Sequence, residues 1–259
     1  MAGKILIIGP SGSGKSTSYR NLNPASTFII CCDEKELPFK GWKANYKTVR
    51  DDSGKIDRAK SNFIKTSKVS NVSSILNFIN DNRPEIKVVI IDTFTMMMIN
   101  DFMSRIRKIE WQDYRDIAAN TYDVLKDIDK MREDLMIIVM SHMEFEGSDD
   151  GSKSAKFKVP AGKLIGGNLE VEGMFTTVLY TSTSKKEEGT IEYWFETQTN
   201  TKNTAKSPME MFPAYRIPND LKYILRCYSA YENGKDAPSY EEYFNSKIQE
   251  TQKTPVVPK

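Results

Sequence analysis

The 259-residue sequence holds one histidine, His142, and three cysteines. The cysteine number supports no disulfide framework. There is no CxxC pair, and Cys31 and Cys32 end the apolar run Phe28–Cys32, where a thiol packs as a small hydrophobe. Thiols used this way fit a reducing cytoplasm. No apolar run approaches the ~20 residues that a membrane-spanning helix needs. Met1-Ala2-Gly3-Lys4-Ile5 opens directly into a strand pattern without the organisation of a signal peptide. These absences predict a soluble cytoplasmic protein with no membrane partner. Excess charge is missing too: 37 Lys and Arg face 35 Asp and Glu, a formal net charge of +2. Any nucleic-acid surface must therefore come from local clustering of cations.

What is present is strand and helix in alternation. Four short apolar, β-branched runs read as buried strands: Lys4–Gly9, Thr27–Cys32, Lys87–Asp92 and Leu135–Met140. Helical spacing predicts helices over 15–22, over 71–81, and over 96–134 with a break near 109–113. Ile117, Tyr122, Leu125, Ile128 and Met131 mark one face of the last of these. The Met96–Met98 run reads as core packing. Residues 35–70 carry only a possible strand at 45–49, and 143–168 read as one long loop. Met174–Thr181 and Thr190–Thr197 pair across a turn, Asn219 caps a helix through Arg226, and Tyr240–Gln249 forms a last helix. There is no internal repeat. The pattern is α/β: a mainly parallel sheet with helices on both faces and a small C-terminal β/α extension. Its expected divisions are 1–231 for the main domain, 232–250 for a helical extension and 251–259 for a disordered tail.

The segment Gly9-Pro10-Ser11-Gly12-Ser13-Gly14-Lys15-Ser16-Thr17 fits GxxxxGK[ST] at every fixed position, with a strand before it and a helix expected after it. With usual residue frequencies such a match arises by chance in roughly one protein of this length per hundred. Its glycines let backbone N–H groups approach phosphate oxygens, and a helix starting near Lys15 would add its dipole. Lys15 supplies a cation to the β- and γ-phosphates, and the Ser16 hydroxyl is suited to ligate Mg²⁺. Val88-Val89-Ile90-Ile91-Asp92 ends a buried strand in a carboxylate, which suits a second Mg²⁺ contact through water. The motif therefore predicts a nucleoside triphosphate, ATP, together with Mg²⁺. No NKxD tetrapeptide is present to specify guanine. Asp51-Asp52-Ser53-Gly54 matches DxxG only formally, because no buried strand precedes it.

Taken in order, GPSGSGKST, CCDE, VVIIDTFT and IIVMSH resemble the RecA-like phage nucleotide-binding proteins associated with single-strand annealing and recombination. The resemblance covers residues 4–181 and implies a RecA-like P-loop NTPase that hydrolyses ATP. Thr93 follows Asp92 where many ATPase motors carry a glutamate base, so the base must come from elsewhere. The resemblance points to Glu34, at the end of the strand after the phosphate loop, with Asp33 as the alternative. It implies that His142 senses the γ-phosphate. It also implies a homo-oligomer whose neighbouring subunit donates a cation, for which Lys206 and Lys202 are candidates. Segments after the third and fourth strands would face single-stranded DNA. Arg105, Arg107 and Lys108 lie in the first of these; Lys153, Lys156, Lys158 and Lys163 lie in the second, with Phe157 placed to stack on a base. Two other readings stay open: a P-loop kinase for a nucleotide or small metabolite, and a nucleotide-dependent interaction module that does not hydrolyse.

Overall fold

The computed structural model describes residues 2–108, 110–147, 153–157 and 170–245. The strands, in chain order, are β1 (Gly3–Ile8), β2 (Thr27–Cys31), β3 (Phe63–Lys65), β4 (Val88–Asp92), β5 (Met136–Ser141), β6 (Met143–Gly147), β7 (Lys153–Phe157), β8 (Thr177–Lys185), β9 (Ile191–Glu196) and β10 (Arg216–Pro218). Eight of them form one sheet in the order β10-β9-β8-β1-β5-β4-β2-β3, and β6 pairs only with β7. The run from β3 to β8 is parallel; β9 joins β8 antiparallel, and β10 joins β9 in the same way.

The central strands read as unbroken apolar runs because both faces of the sheet are covered. Alternation divides their side chains between two cores. Leu6, Ile8, Phe28, Ile30, Val89, Ile91, Ile137 and Val139 pack beneath α2 (Val69–Asn82), α3 (Phe94–Arg105) and α4 (Trp111–Asp129). Ile5, Ile7, Ile29, Cys31, Ile90, Ile138 and Met140 pack on the other face. There they meet Tyr19, Leu22, Tyr46 and α5 (Leu221–Glu232). A fully buried side chain of this kind contributes about 1.5–3 kcal/mol, so the two-sided core dominates the stabilisation. Residues 240–245 are helical and pack back onto the second core, where Tyr243 is fully buried and its ring lies 5.3 Å from that of Tyr223. Among the described residues no helix is long and apolar enough to cross a membrane.

The four predicted central strands are present, as are α2 and the break between α3 and α4, which is a 3-10 turn at Ile106–Lys108. Met97 and Met98 are core residues. On α4 the buried face includes Thr121 and Val124, whereas Tyr122 is exposed. The predicted helix at 15–22 is instead a series of tight turns. Arg20 N–H donates to the Thr17 carbonyl at 3.2 Å and Leu22 N–H to Tyr19 at 3.1 Å. The Ser18 hydroxyl bonds the Lys15 carbonyl at 2.5 Å, the local competition by which serines disfavour regular helix. No strand forms at 45–49. A short helix, α1 (Trp42–Asn45), and the three-residue β3 are additions to the expected pattern, being too short for periodicity to show. The expected loop at 143–168 contains the β6–β7 hairpin, whose Ala155 and Phe157 are buried. The tail at 251–259 lies outside the described residues.

Candidate functional site

β5 lies between β1 and β4 in the sheet, so the C-terminal ends of β1, β5, β4 and β2 converge on one edge. A cavity of about 440 Å³ opens there, within the ~300–1,000 Å³ of small-molecule sites. Its walls include Ser11, Gly12, Gly14, Lys15, Ser16 and Thr17 from the phosphate loop. Cys31, Asp33, Asp92, Thr93 and His142 from the strand ends join them, together with the segment 35–38 after β2 and Tyr193 of β9.

The loop is shaped by two close approaches. A Cβ on Gly9 would lie 1.8 Å from Thr181 Oγ1 of β8, which also bonds Ser13 Oγ at 2.5 Å. Gly14 has φ +92°, and a Cβ there would lie 2.8 Å from Tyr193 Cδ1. Both positions require glycine, one for space and one for conformation as well. Because the following segment is turns, the loop's anion-binding capacity rests on its own backbone N–H groups and on Lys15, not on a regular helix dipole.

Lys15 is buried and its Nζ donates to the carbonyls of Gly9 and Pro10, each at 2.7 Å. Burial pushes its pKa down to about 8, although the nearby carboxylates of Asp92 and Asp33 oppose the shift. Bound phosphates would hold the proton on Lys15, whereas the free protein loses it as pH rises through about 8. Nucleotide binding above that pH should take up as much as one proton, and affinity should fall toward about tenfold per pH unit. Calorimetry in buffers of differing ionisation enthalpy, half a unit above that pKa, measures the uptake; zero uptake would refute the assignment.

Asp92 is 2% exposed at the end of β4. Its Oδ2 accepts from the Tyr19 hydroxyl at 2.9 Å and its Oδ1 from Thr93 Oγ1 at 3.1 Å; the Ser16 hydroxyl bonds the same carboxylate. Burial raises its pKa, and these hydroxyls work against that rise. A buried carboxylate grouped with hydroxyl oxygens is a hard-oxygen donor set that fits Mg²⁺, while the Lys15 ammonium is suited to phosphate and not to the metal. Among the described residues no cluster of three His, Cys, Asp or Glu surrounds it.

The two acidic candidates after β2 are separated by the alternation of the chain. Cys31 lines the cavity, Cys32 belongs to the opposite core, and Asp33 returns to the cavity side. Glu34 is turned out: its φ is 57°, it is exposed, and its carboxylate accepts from Ser67 Oγ at 3.2 Å. Asp33 is held at the cavity by Cys31 Sγ at 3.1 Å and by the Lys35 N–H at 3.3 Å. The structure thus places Asp33, and not the expected Glu34, beside the phosphate loop. His142, the expected γ-phosphate sensor, is among the residues that line the cavity. Its N–H donates to Thr95 Oγ1 at 2.9 Å, and Thr95 Oγ1 lies 2.6 Å from Ser141 Oγ. The Gly9 N–H donates to the Ser141 carbonyl at 3.2 Å, joining the end of β5 to the loop.

Other candidates are placed less favourably for the roles expected of them. Lys206 is half-buried and its backbone exchanges hydrogen bonds with Val178, at 2.8 and 2.9 Å. Val178 lies three residues before Thr181, about 10 Å down the strand from the cavity. Lys202 is exposed beyond β9. Arg105 bonds Asp101 and Asp113, each at 3.0 Å, which neutralises the charge expected to meet DNA. Phe157 is 3% exposed with its ring 6.2 Å from that of Phe94, so it is a core residue and not a stacking platform. Lys156 lies opposite Glu144 in the hairpin register. Arg107 and Lys108 are exposed on the 3-10 turn. Lys153 lies in β7; Lys158 and Lys163 lie outside the described residues. Tyr19, Thr181 and Tyr193 join the site without a sequence signal, because their positions depend on sheet order and no local motif marks them.

The model of an AAA domain matches residues 1–209, most of the chain. The chain belongs to the AAA-domain family. No curated protein matches it. An AAA domain of this kind is a P-loop, nucleotide-binding ATPase, and its mostly parallel sheet with helices is the fold observed. ATP, usually with Mg²⁺, is the ligand the family implies, and the phosphate loop, Ser16 and Asp92 are the residues here that would hold them.

Proposed function

We propose that this AAA domain is a Mg²⁺-dependent ATPase of the RecA-like kind that handles single-stranded DNA in recombination or strand annealing. The observation that carries the catalytic part is the convergence of Lys15, Ser16, Asp92, Asp33 and His142 on one cavity. In this reading Lys15 leaves the Gly9 and Pro10 carbonyls to accompany the γ-phosphate. Asp33 orients the attacking water, a role it can hold as a carboxylate beside the loop. Ser16 and Asp92 would hold Mg²⁺, which would supply charge neutralisation at the phosphates. A P-loop kinase would need a cationic lid able to close over the donor. Of the two lid candidates, Arg105 and Arg107, neither lines the cavity and Arg105 is already paired with Asp101 and Asp113, which favours hydrolysis over transfer.

The DNA part rests on one connection: His142 is followed at once by β6 of the β6–β7 hairpin. A side chain facing the γ-phosphate can bias the segment attached to it. Arg107, Lys108 and the lysines at 153–163 remain as phosphate contacts. Each phosphate neutralised should contribute about −0.7 to the log–log salt slope of affinity. Fluorescence anisotropy of a labelled oligonucleotide, with ADP and with a non-hydrolysable ATP analogue, tests this at two salt concentrations. The expectation is tighter binding with the analogue, weakened in an Arg107→Ala/Lys108→Ala variant, and stimulation of hydrolysis by the oligonucleotide. Absence of binding at low salt, with hydrolysis intact, would leave an ATPase with another partner.

A further inference from the structure

Asn219 is the cap that the sequence suggests for the helix after it, but the observed cap is Asp220, whose side chain accepts from the Lys222 N–H at 3.0 Å. The Asn219 backbone is fully engaged: its N–H donates to the Tyr193 carbonyl at 3.2 Å, and its carbonyl accepts from Arg20 Nη1 at 2.9 Å. Its side chain is only 4% exposed, and neither Oδ1 nor Nδ2 has a hydrogen-bond partner among the described residues. A buried primary amide with no partner is costly and is rarely kept without a use.

That amide rests on the phosphate loop. A Cβ built on Gly14 would lie 3.2 Å from Asn219 Oδ1, on the residue immediately before Lys15. Around it the loop segment and the β10–α5 junction are already joined by hydrogen bonds. Leu221 N–H donates to the Ser18 carbonyl at 2.9 Å, and Asn21 Nδ2 to Asp220 Oδ2 at 2.8 Å. In the conformation described, Lys15 is folded onto the carbonyls of its own loop. Turning Lys15 toward a phosphate would free those carbonyls and pull on the Gly14–Lys15 peptide to which its own backbone belongs. The peptides flanking Gly14 lie beside an amide that can donate and accept at once.

We propose that Asn219 is a positioning residue for the phosphate loop, its side-chain amide hydrogen-bonding the backbone around Gly14 when nucleotide phosphates are bound. The proposal rests on the nucleotide-binding reading above and adds to it a link from the loop to α5. It makes a signature that a packing role would not share. Removing the amide should relieve an unsatisfied polar group in the free protein and remove a contact from the bound one.

The test uses the full chain with Asn219→Leu, nearly the same volume without polar atoms, and Asn219→Ala in case leucine overfills the site. Melting temperature is measured without nucleotide, and affinity for a non-hydrolysable ATP analogue with Mg²⁺ by calorimetry. The expected result is a melting temperature for Asn219→Leu equal to or above that of the parent, with affinity about tenfold weaker in both variants. Unchanged affinity overturns the proposal. So does a loss of affinity accompanied by a lowered melting temperature in both variants, which would assign the amide to packing alone. Failure of the parent protein to bind the analogue would instead bring down the nucleotide reading and this proposal with it.

Discussion

Lys15→Ala should abolish ATP hydrolysis and weaken ATP binding by one to two orders of magnitude. The binding figure follows from about 1.5–3 kcal/mol for each hydrogen bond to a charged group. The turnover figure follows from comparison with other phosphoryl-transfer cations, whose removal costs about 10³–10⁵ in rate. No other cation lies within the loop, and Lys35, across the cavity, is largely exposed and already 3.5 Å from Asp33 Oδ2. Asp92→Asn should behave differently. It keeps the hydrogen-bonding shape toward Tyr19 and Thr93 but removes the charge, so nucleotide binding should be spared more than turnover. Steady-state hydrolysis together with binding of a fluorescent ATP analogue distinguishes the two variants. Normal turnover by Lys15→Ala would refute the site assignment.

Asp33→Asn should lower turnover by the ~10²–10⁴ characteristic of a lost general base while leaving ATP binding nearly intact. Glu34→Gln should do almost nothing, because that side chain points to Ser67 and away from the cavity. The contrast is informative because the two residues are adjacent and chemically alike. A one-residue difference in strand exit decides which of them can meet the γ-phosphate. Single-turnover rates at saturating ATP, measured alongside affinity, separate chemistry from binding. If Glu34→Gln proves the damaging change, the segment after β2 rearranges on binding. If neither variant is impaired, the protein is a nucleotide-dependent interaction module.

The central sheet is legible in the sequence because its strands are continuous apolar runs, and the phosphate loop because its chemistry needs fixed residue types at fixed spacing. Asp92 is legible for a related reason: burying a carboxylate at the end of an apolar run is costly, and a cation beside the phosphate loop offsets that cost. The choice between Asp33 and Glu34 is not legible. It turns on where β2 ends, and element ends are the least determined part of any pattern. At Phe157 the neighbours Lys156 and Lys158 suggest a solvated loop, whereas strand pairing with β6 turns the ring inward against Phe94. Arg105 has one partner that spacing could have shown, Asp101 four residues earlier on α3, and one that it could not, Asp113 at the start of α4, which only the packed helices bring near. Tyr193 and Asn219 reach the loop from about 180–200 positions away in sequence, and no local pattern encodes that approach.

The place of β5 in the sheet has a mechanical consequence. It is hydrogen-bonded along its length to β1 on one side and over its first four residues to β4 on the other, with registers running from Gly3–Met136 to Ile8–Ser141 and from Val88–Met136 to Ile91–Val139. Sliding it by one residue would break both ladders and turn every buried side chain to the wrong core. β5 is therefore a fixed rail, unable to act as a piston. Whatever the γ-phosphate does at its tip must leave by rotation about the peptides at Ser141 and His142, where the ladder ends. Were His142 displaced by a bound phosphate, rotation there would load the β6–β7 hairpin, whose Ala155 and Phe157 are buried, so the push would be felt first in the core beneath Phe94.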